Sequence, residues 1–260
     1  MVIATRIQTT LQPTITQQNF NAALRDAFIN AKWGTFLKAY SSTDNSLRFV
    51  HEIVYDSTKI YGKVVIRIRV GTDLILGAFI GTSFDGATNG SSNVSAEFVS
   101  TAFNTTKPIT FDAIDGGSEL KSVIVRQENT LATFTLVMPV NKPAWWDLNI
   151  YPYAFLSANN DNSLFYSSSL NPYSNINFIT SLNKTTLGTA NTITNKRDIE
   201  LGIGFYSQSN QGIAGRTSDD LVSIAALGTN QFDSVRVAGN PTKEFLILRN
   251  IAGGFGCRVA

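Results

Sequence analysis

The chain has 260 residues, with 21 Lys and Arg set against 19 Asp and Glu for a formal net charge of +2. A field this weak, with no block of Lys or Arg longer than the pair in Asn195-Lys196-Arg197, excludes nucleic acid as an expected partner. The surface must instead be covered by neutral polar groups, since 23 Asn, 23 Ser and 27 Thr far outnumber the charges, a composition common in secreted β proteins and in virion shells and fibres.

Residues 1–14 are polar with scattered Val, Ile and Leu and read as an arm. They hold no continuous apolar segment of signal-peptide kind, and no run in the chain is long enough to span a bilayer, so membrane insertion is not expected. Pro13 blocks any continuation into the next element by fixing φ and removing a donor. The stretch ITQQNFNAALRDAFINAKWG predicts the one long helix, from about Gln17 to Trp33. Thr16 is its N-cap, Ile15 and Phe20 stand at hydrophobic-staple spacing, and Gly34 suits a left-handed C′ position. At 100° per residue, Phe20, Ala23, Leu24, Ala27, Phe28 and Ala31 form one apolar stripe, and Ala22, Ile29 and Trp33 form a second nearly opposite. The first stripe is expected to pack on the chain's own sheet; the second is expected to meet another subunit or another protein, with the chain's own arm as the rival cover.

Strands are expected at Phe36 to Tyr40, Leu47 to Tyr55, Lys63 to Val70 and Leu74 to Ile80, forming an antiparallel meander on the helix. In the third, Val64, Ile66, Ile68 and Val70 point one way and Lys63, Arg67 and Arg69 the other. SFDGATNGSSNVS reads as an exposed loop or hairpin tip, and Ala96 to Phe103 fits either a strand or a short helix. Ile109 to Ile114 is a strand, and Leu120 to Gln127 with Leu131 to Met138 makes a hairpin. Shorter strands are expected at Leu164 to Tyr166, Ile176 to Ile179, Ile199 to Tyr206, Val235 to Ala238 and Glu244 to Arg249. Leu182 to Thr194 is an edge strand or a long excursion, Thr217 or Ser218 caps a short helix through Leu227, and the tail AGGFGCRVA is too Gly-rich to assign. The fold class is therefore mainly β, an antiparallel sandwich or meander sheets with one N-terminal helix. An arm and helix over 1–35 precede a β domain over 36–260, with a subdivision near 115 left open.

Few residues offer chemistry. His51 is the only histidine and lies mid-strand, and Cys257 is the only cysteine, so an intrachain disulfide is excluded and a zinc site would lack its usual ligands. Neither stands in a nucleophile motif, and both read as structural. Asp112, Asp115 and Glu119 are the best carboxylate cluster for hydrolysis; the plainer reading is a solvated turn whose aspartates bond their own backbone. Asp161 and the pair Asp219-Asp220 lack the spacing of a calcium loop. Trp145, Trp146, Tyr151, Tyr153 and Phe155 offer either a sugar-stacking platform or rings that plug the core or an intersubunit seam. The sequons at Asn89, Asn93, Asn104 and Asn183 are expected by chance in so Asn- and Thr-rich a chain. No enzymatic activity and no cofactor are expected.

A polar arm, one capped helix and then Asn-, Ser- and Thr-rich antiparallel strands with few charges resemble, in character across the whole chain, phage tail and baseplate accessory proteins and fibre-type virion proteins. The resemblance implies a structural role in a virion-like particle, with partners that include further copies of the chain, other structural proteins and a host-surface glycan. A carbohydrate-binding or adhesive β-sandwich is the alternative, and a carboxylate-based glycoside hydrolase the third reading.

Overall fold

The computed structural model describes residues 4–54, 63–81, 83–86, 91–92, 97–117, 120–128, 130–137, 154–159, 162–167, 176–179, 190–207, 212–238, 240–249 and 254–260. Strand β1 (Thr5–Leu11) leads into helix α1 (Gln17–Asn30). A meander follows in β2 (Thr35–Ser41), β3 (Leu47–Val54), β4 (Lys63–Val70) and β5 (Leu76–Gly81), with the short β6 (Ser83–Phe84), β7 (Ser91–Ser92) and β8 (Phe98–Val99) behind it. Then come β9 (Ile109–Asp115), β10 (Leu120–Gln127), β11 (Thr130–Val137), β12 (Ala154–Asn159), β13 (Asn162–Ser167) and β14 (Ile176–Ile179). The C-terminal third holds β15 (Ile199–Leu201), β16 (Gly204–Ser207), β17 (Gly212–Arg216), β18 (Leu221–Ile224), β19 (Ser234–Val237), β20 (Asn240–Arg249) and β21 (Gly254–Arg258).

The helix begins as its sequence dictates. The Asn19 amide donates to Thr16 Oγ1 at 3.2 Å and the Thr16 amide donates to Asn19 Oδ1 at 2.8 Å, a reciprocal capping box, while Ile15 and Phe20 are both buried as the staple requires. Its end differs from expectation. The last helical residue is Asn30, not Trp33, and Lys32, not Gly34, takes the left-handed position after the cap (φ 52°). The Trp33 amide donates to the Phe28 carbonyl and the Lys32 amide to the Ile29 carbonyl, the paired bonds of a Schellman motif. Its apolar contact is there too: the Trp33 ring lies 5.0 Å from Phe28. Gly34 (φ 77°) serves the next step, because a Cβ there would stand 2.2 Å from the Glu52 carbonyl oxygen where β2 swings in beside β3.

Two sheets face each other across α1. One has the order β2-β3-β4-β5-β8, the other β1-β9-β10-β11-β12-β13, and every pairing in both is antiparallel. Phe28 touches both layers, with Phe49 of β3 at 5.5 Å and Phe134 of β11 at 5.6 Å, and Phe20 reaches Phe111 of β9 at 5.7 Å. The first apolar stripe of the helix is therefore shared between two sheets, where the sequence suggested one. Ile66, Ile68 and Val70 face this core as the alternation predicts, yet Val50 and Val65 on the opposite face are buried too. The expected arm is an edge strand, paired with β9 along its whole length from Thr5↔Asp115 to Leu11↔Ile109. Position 115 lies inside this continuous sheet, since β9 and β10 are bonded across it from Lys121↔Asp115 onward.

The back of the six-stranded sheet carries a second core. Ile114, Leu120, Ile124 and Leu131 meet Leu221, Leu246, Leu248, Phe255, Cys257 and Val259 from a third sheet of order β15-β18-β21-β20-β19. The helix expected after Thr217 is instead β18, whose Leu221 enters this core while Val222 and Ile224 enter a third one on the far side. A strand buried on both faces has no period-2 signal, which is why its apolar run passed for a capped helix. The Gly-rich tail is the sheet's central strand. Phe255, Cys257 and Val259 point at the six-stranded sheet, and Gly256 leaves the other face bare, where a Cβ would sit 2.6 Å from Ile224 Cδ1 and 2.9 Å from the Leu246 carbonyl oxygen. With its middle thinned, the sheet curls: Ile199 and Leu201 from one edge and Val235 and Val237 from the other pack on the same cluster of Val222, Ile224, Phe245 and Ile247.

Candidate functional site

Of the residues singled out for chemistry, His51, Cys257, Asp112, Asp115 and Asp220 are held inside the fold. His51 is 1% exposed and ringed by Phe28, Phe36 and Phe49 at 5.6–5.7 Å between centroids, and neither ring nitrogen has a hydrogen-bond partner among the described residues. Burial, aided by the Arg25 guanidinium, pushes its pKa down to about 4, so it is neutral at pH 7 and packs as an aromatic. The unfolded chain binds the proton near pH 6.5 and the folded one only near 4, so stability should fall as the pH drops through that window. Acid titration of the urea midpoint is expected to show a loss of roughly 3 kcal/mol across it, absent in His51→Leu. A flat profile would contradict a buried neutral imidazole. Cys257 is fully buried in the second core, and that burial pushes its thiol up, away from the reactive thiolate.

Asp112 and Asp115 are both buried, and of the expected turn only the bond from the Gly117 amide to Asp115 Oδ1 is present. Asp112 and Asp115 are three apart on β9 and so project to opposite faces. Asp112 is fully buried: Arg6 Nε and Nη2 donate to its Oδ1 at 2.9 and 2.7 Å, Gln8 Nε2 adds a bond of 2.8 Å, and Arg126 Nε stands 2.9 Å from Oδ2. Asp115 meets Lys121, Lys32 and the Gly117 amide. Burial alone would raise its pKa, and these donors hold the carboxyl below its usual range instead. Glu119 and Asp161 lie outside the described residues. Asp220 is committed to Arg258 Nη1 at 3.2 Å. Among the described residues no three His, Cys, Asp or Glu gather as a metal site, and no helix is long and apolar enough to cross a membrane.

The second helix stripe divides. Trp33 is buried at 0% exposure by its fold back onto Phe28, so it does not belong to an intersubunit face, a correction that follows from the Schellman geometry. Ala22 is half-buried, and Ile29 is 50% exposed. One turn before Ile29, the Arg25 guanidinium lies over the Phe36 ring at 5.9 Å, which joins the helix surface to β2. That strand is exposed at six of its seven positions, on both faces, and among the described residues it pairs only with β3. A bulge between Phe36 and Lys38 turns Leu37 outward, and Val54 of β3 is exposed nearby. The result is an apolar surface of Ile29, Phe36 and Leu37. From sequence only Ile29 was visible; the strand's own apolar pair reads as half-buried by alternation. Trp145, Trp146, Tyr151 and Tyr153 lie outside the described residues.

No protein-family model matches this chain, and no curated protein matches it either.

Proposed function

We propose that the chain is a structural subunit of a virion-like assembly of phage tail or baseplate kind, joining further copies of itself and other structural proteins through the α1–β2 face, with host-surface contact as an added role. The observation that carries this is β2: a strand exposed on both faces that pairs only with β3 among the described residues, with Phe36, Leu37 and Ile29 presenting apolar area beside it. Exposed strands at the end of a sheet are normally blunted or covered, because they template pairing with another chain. The neutral polar composition and the inward commitment of His51, Cys257, Asp112 and Asp115 support a structural role over a catalytic one. A glycan-binding role would rest on Trp145, Trp146, Tyr151 and Tyr153.

In a native particle the chain should copurify in fixed ratio with the other shell or tail proteins. Ile29→Asp is expected to abolish that assembly, measured by sedimentation, while circular dichroism stays β-rich, because the side chain already faces solvent on one side. Normal assembly of the variant would sink this face as the contact.

A further inference from the structure

Ile193 stands at the tip of a closed loop and is 92% exposed, whereas the other exposed large apolar side chains among the described residues are 36–52% exposed. The loop holds it there. The Asn191 amide donates to the Lys196 carbonyl and the Asn195 amide to the Asn191 carbonyl, both at 2.8 Å, while Asn191 Oδ1 accepts from the Ile193 and Thr194 amides at 3.0 Å. Asn195 closes the turn at φ 51°, a left-handed conformation that asparagine adopts more readily than most residues. With the backbone already fixed, burying this isoleucine against a partner costs little further ordering.

Two residues beyond the tip, the same loop becomes one wall of a cleft of about 450 Å³, with Asn195, Lys196 and Ile199 on one side and Val235 and Val237 on the other. Ile199, Val235 and Val237 are half-buried and give the cleft an apolar floor. We propose that the chain pairs with a second copy of itself here, each copy inserting Ile193 into the cleft of the other. This surface is distinct from the α1–β2 face, so either contact can fail without the other.

Two features select a second copy as the occupant. Knob and hole adjoin on one surface, which is what a two-fold axis requires: a single rotation seats both knobs in both clefts and leaves neither over. The charge order is also self-complementary. Lys196, Asp198 and Glu200 are exposed at alternate positions, Arg197 lies between them, and Arg236 is engaged by Glu244. Lys196, Arg197 and Arg236 are thus balanced by Asp198, Glu200 and Glu244, and the region offers no net field to a charged ligand. Its basic residues come first and its acidic ones last, however, so a two-fold that reverses one copy against the other brings each Lys196 towards the partner's Glu200.

The test uses the full chain carrying Ile29→Asp, which removes the α1–β2 contact, in sedimentation velocity over a concentration series. A dimer is expected, and adding Ile193→Asp should weaken it about a hundredfold, roughly tenfold for each of the two knobs. That variant should fold, since the Ile193 side chain is already in water; circular dichroism checks this. Lys196→Glu and Glu200→Lys should each be monomeric alone and should pair with one another when mixed, the signature of a contact between these positions on different copies. Ile193→Cys mixed with Val235→Cys should form an interchain disulfide on mild oxidation, with the native Cys257 buried and out of competition. The proposal is overturned if the Ile29→Asp chain is monomeric at every concentration, if Ile193→Asp dimerises like its parent, or if the two charge variants do not pair when mixed. It is also overturned if Ile193→Cys cross-links only to itself, which would set the knobs against each other and leave the clefts empty.

Discussion

Replacing Ile66 by aspartate is expected to unfold the protein. Ile66 is 1% exposed in the core that joins α1 to both facing sheets, and its cross-strand neighbours are His51 and Ile80. Arg67 projects to the opposite face, His51 is neutral at pH 7, and Arg25, the cation whose charge reaches His51, lies over the Phe36 ring with its side chain partly in solvent. The new carboxylate must either stay charged without a partner or take up a proton and remain an unbonded polar group. Both cost several kcal/mol, and the lost branched side chain adds its own burial term. Against a typical domain stability of about 5–15 kcal/mol this removes most of the margin. Circular dichroism at 25 °C should show a disordered chain for Ile66→Asp, whereas Ile66→Val should melt only slightly early, consistent with a loss of about 1 kcal/mol. A cooperative melt for Ile66→Asp close to that of the parent would mean that this strand face is not the core face.

What the sequence made legible were features whose signal is local. The capping box at Thr16 and Asn19 lies within one turn, and the alternation over β4 lies within one strand, so both were readable without knowing any neighbour. Where the cause is a distant partner, the reading failed. β1 is polar on both sides because it is a sheet edge, and TRIQTTL therefore looks like an unstructured arm until β9 is beside it. β18 is apolar on both sides because it separates two cores. Gly256 made the tail too Gly-rich to assign and is a packing requirement imposed by Ile224 and Leu246. Trp33 is the instructive case, since its signal was local and was misread: an aromatic five residues after Phe28, just past a helix end, is the apolar contact of a Schellman motif. Extending the helix through it placed the ring on the wrong side.

The Asp112 cluster is the second place where a large effect is expected, and it separates charge neutralisation from packing. Among the described residues Asp112 is the one carboxylate in contact with Arg6 and Arg126, which approach from the neighbouring strands β1 and β10. Arg126 also lies 5.2 Å over the ring of Phe232, a residue that packs against the second core. The carboxylate thus pins the edge strand and orients a cation at the junction between two sheets. Asp112→Asn keeps the shape and the acceptor oxygen but removes the carboxylate that both guanidinium groups contact directly, leaving only the through-space attraction of Glu244 on Arg6. Removing one member of a buried ion pair typically costs 3–5 kcal/mol, and the low end, about 3 kcal/mol, is expected here because each arginine keeps roughly a quarter of its side chain in water. Urea unfolding should report that loss, and hydrogen exchange should quicken first along β1, whose pairing with β9 the cluster holds. The triple replacement Arg6→Met, Asp112→Leu, Arg126→Met should recover the stability, since a buried ion cluster is commonly matched or bettered by apolar side chains of similar volume. If the triple variant is as weak as Asp112→Asn, the cluster's contribution is shape and hydrogen-bond geometry at the β1–β9–β10 seam, and charge balance is not what Asp112 provides.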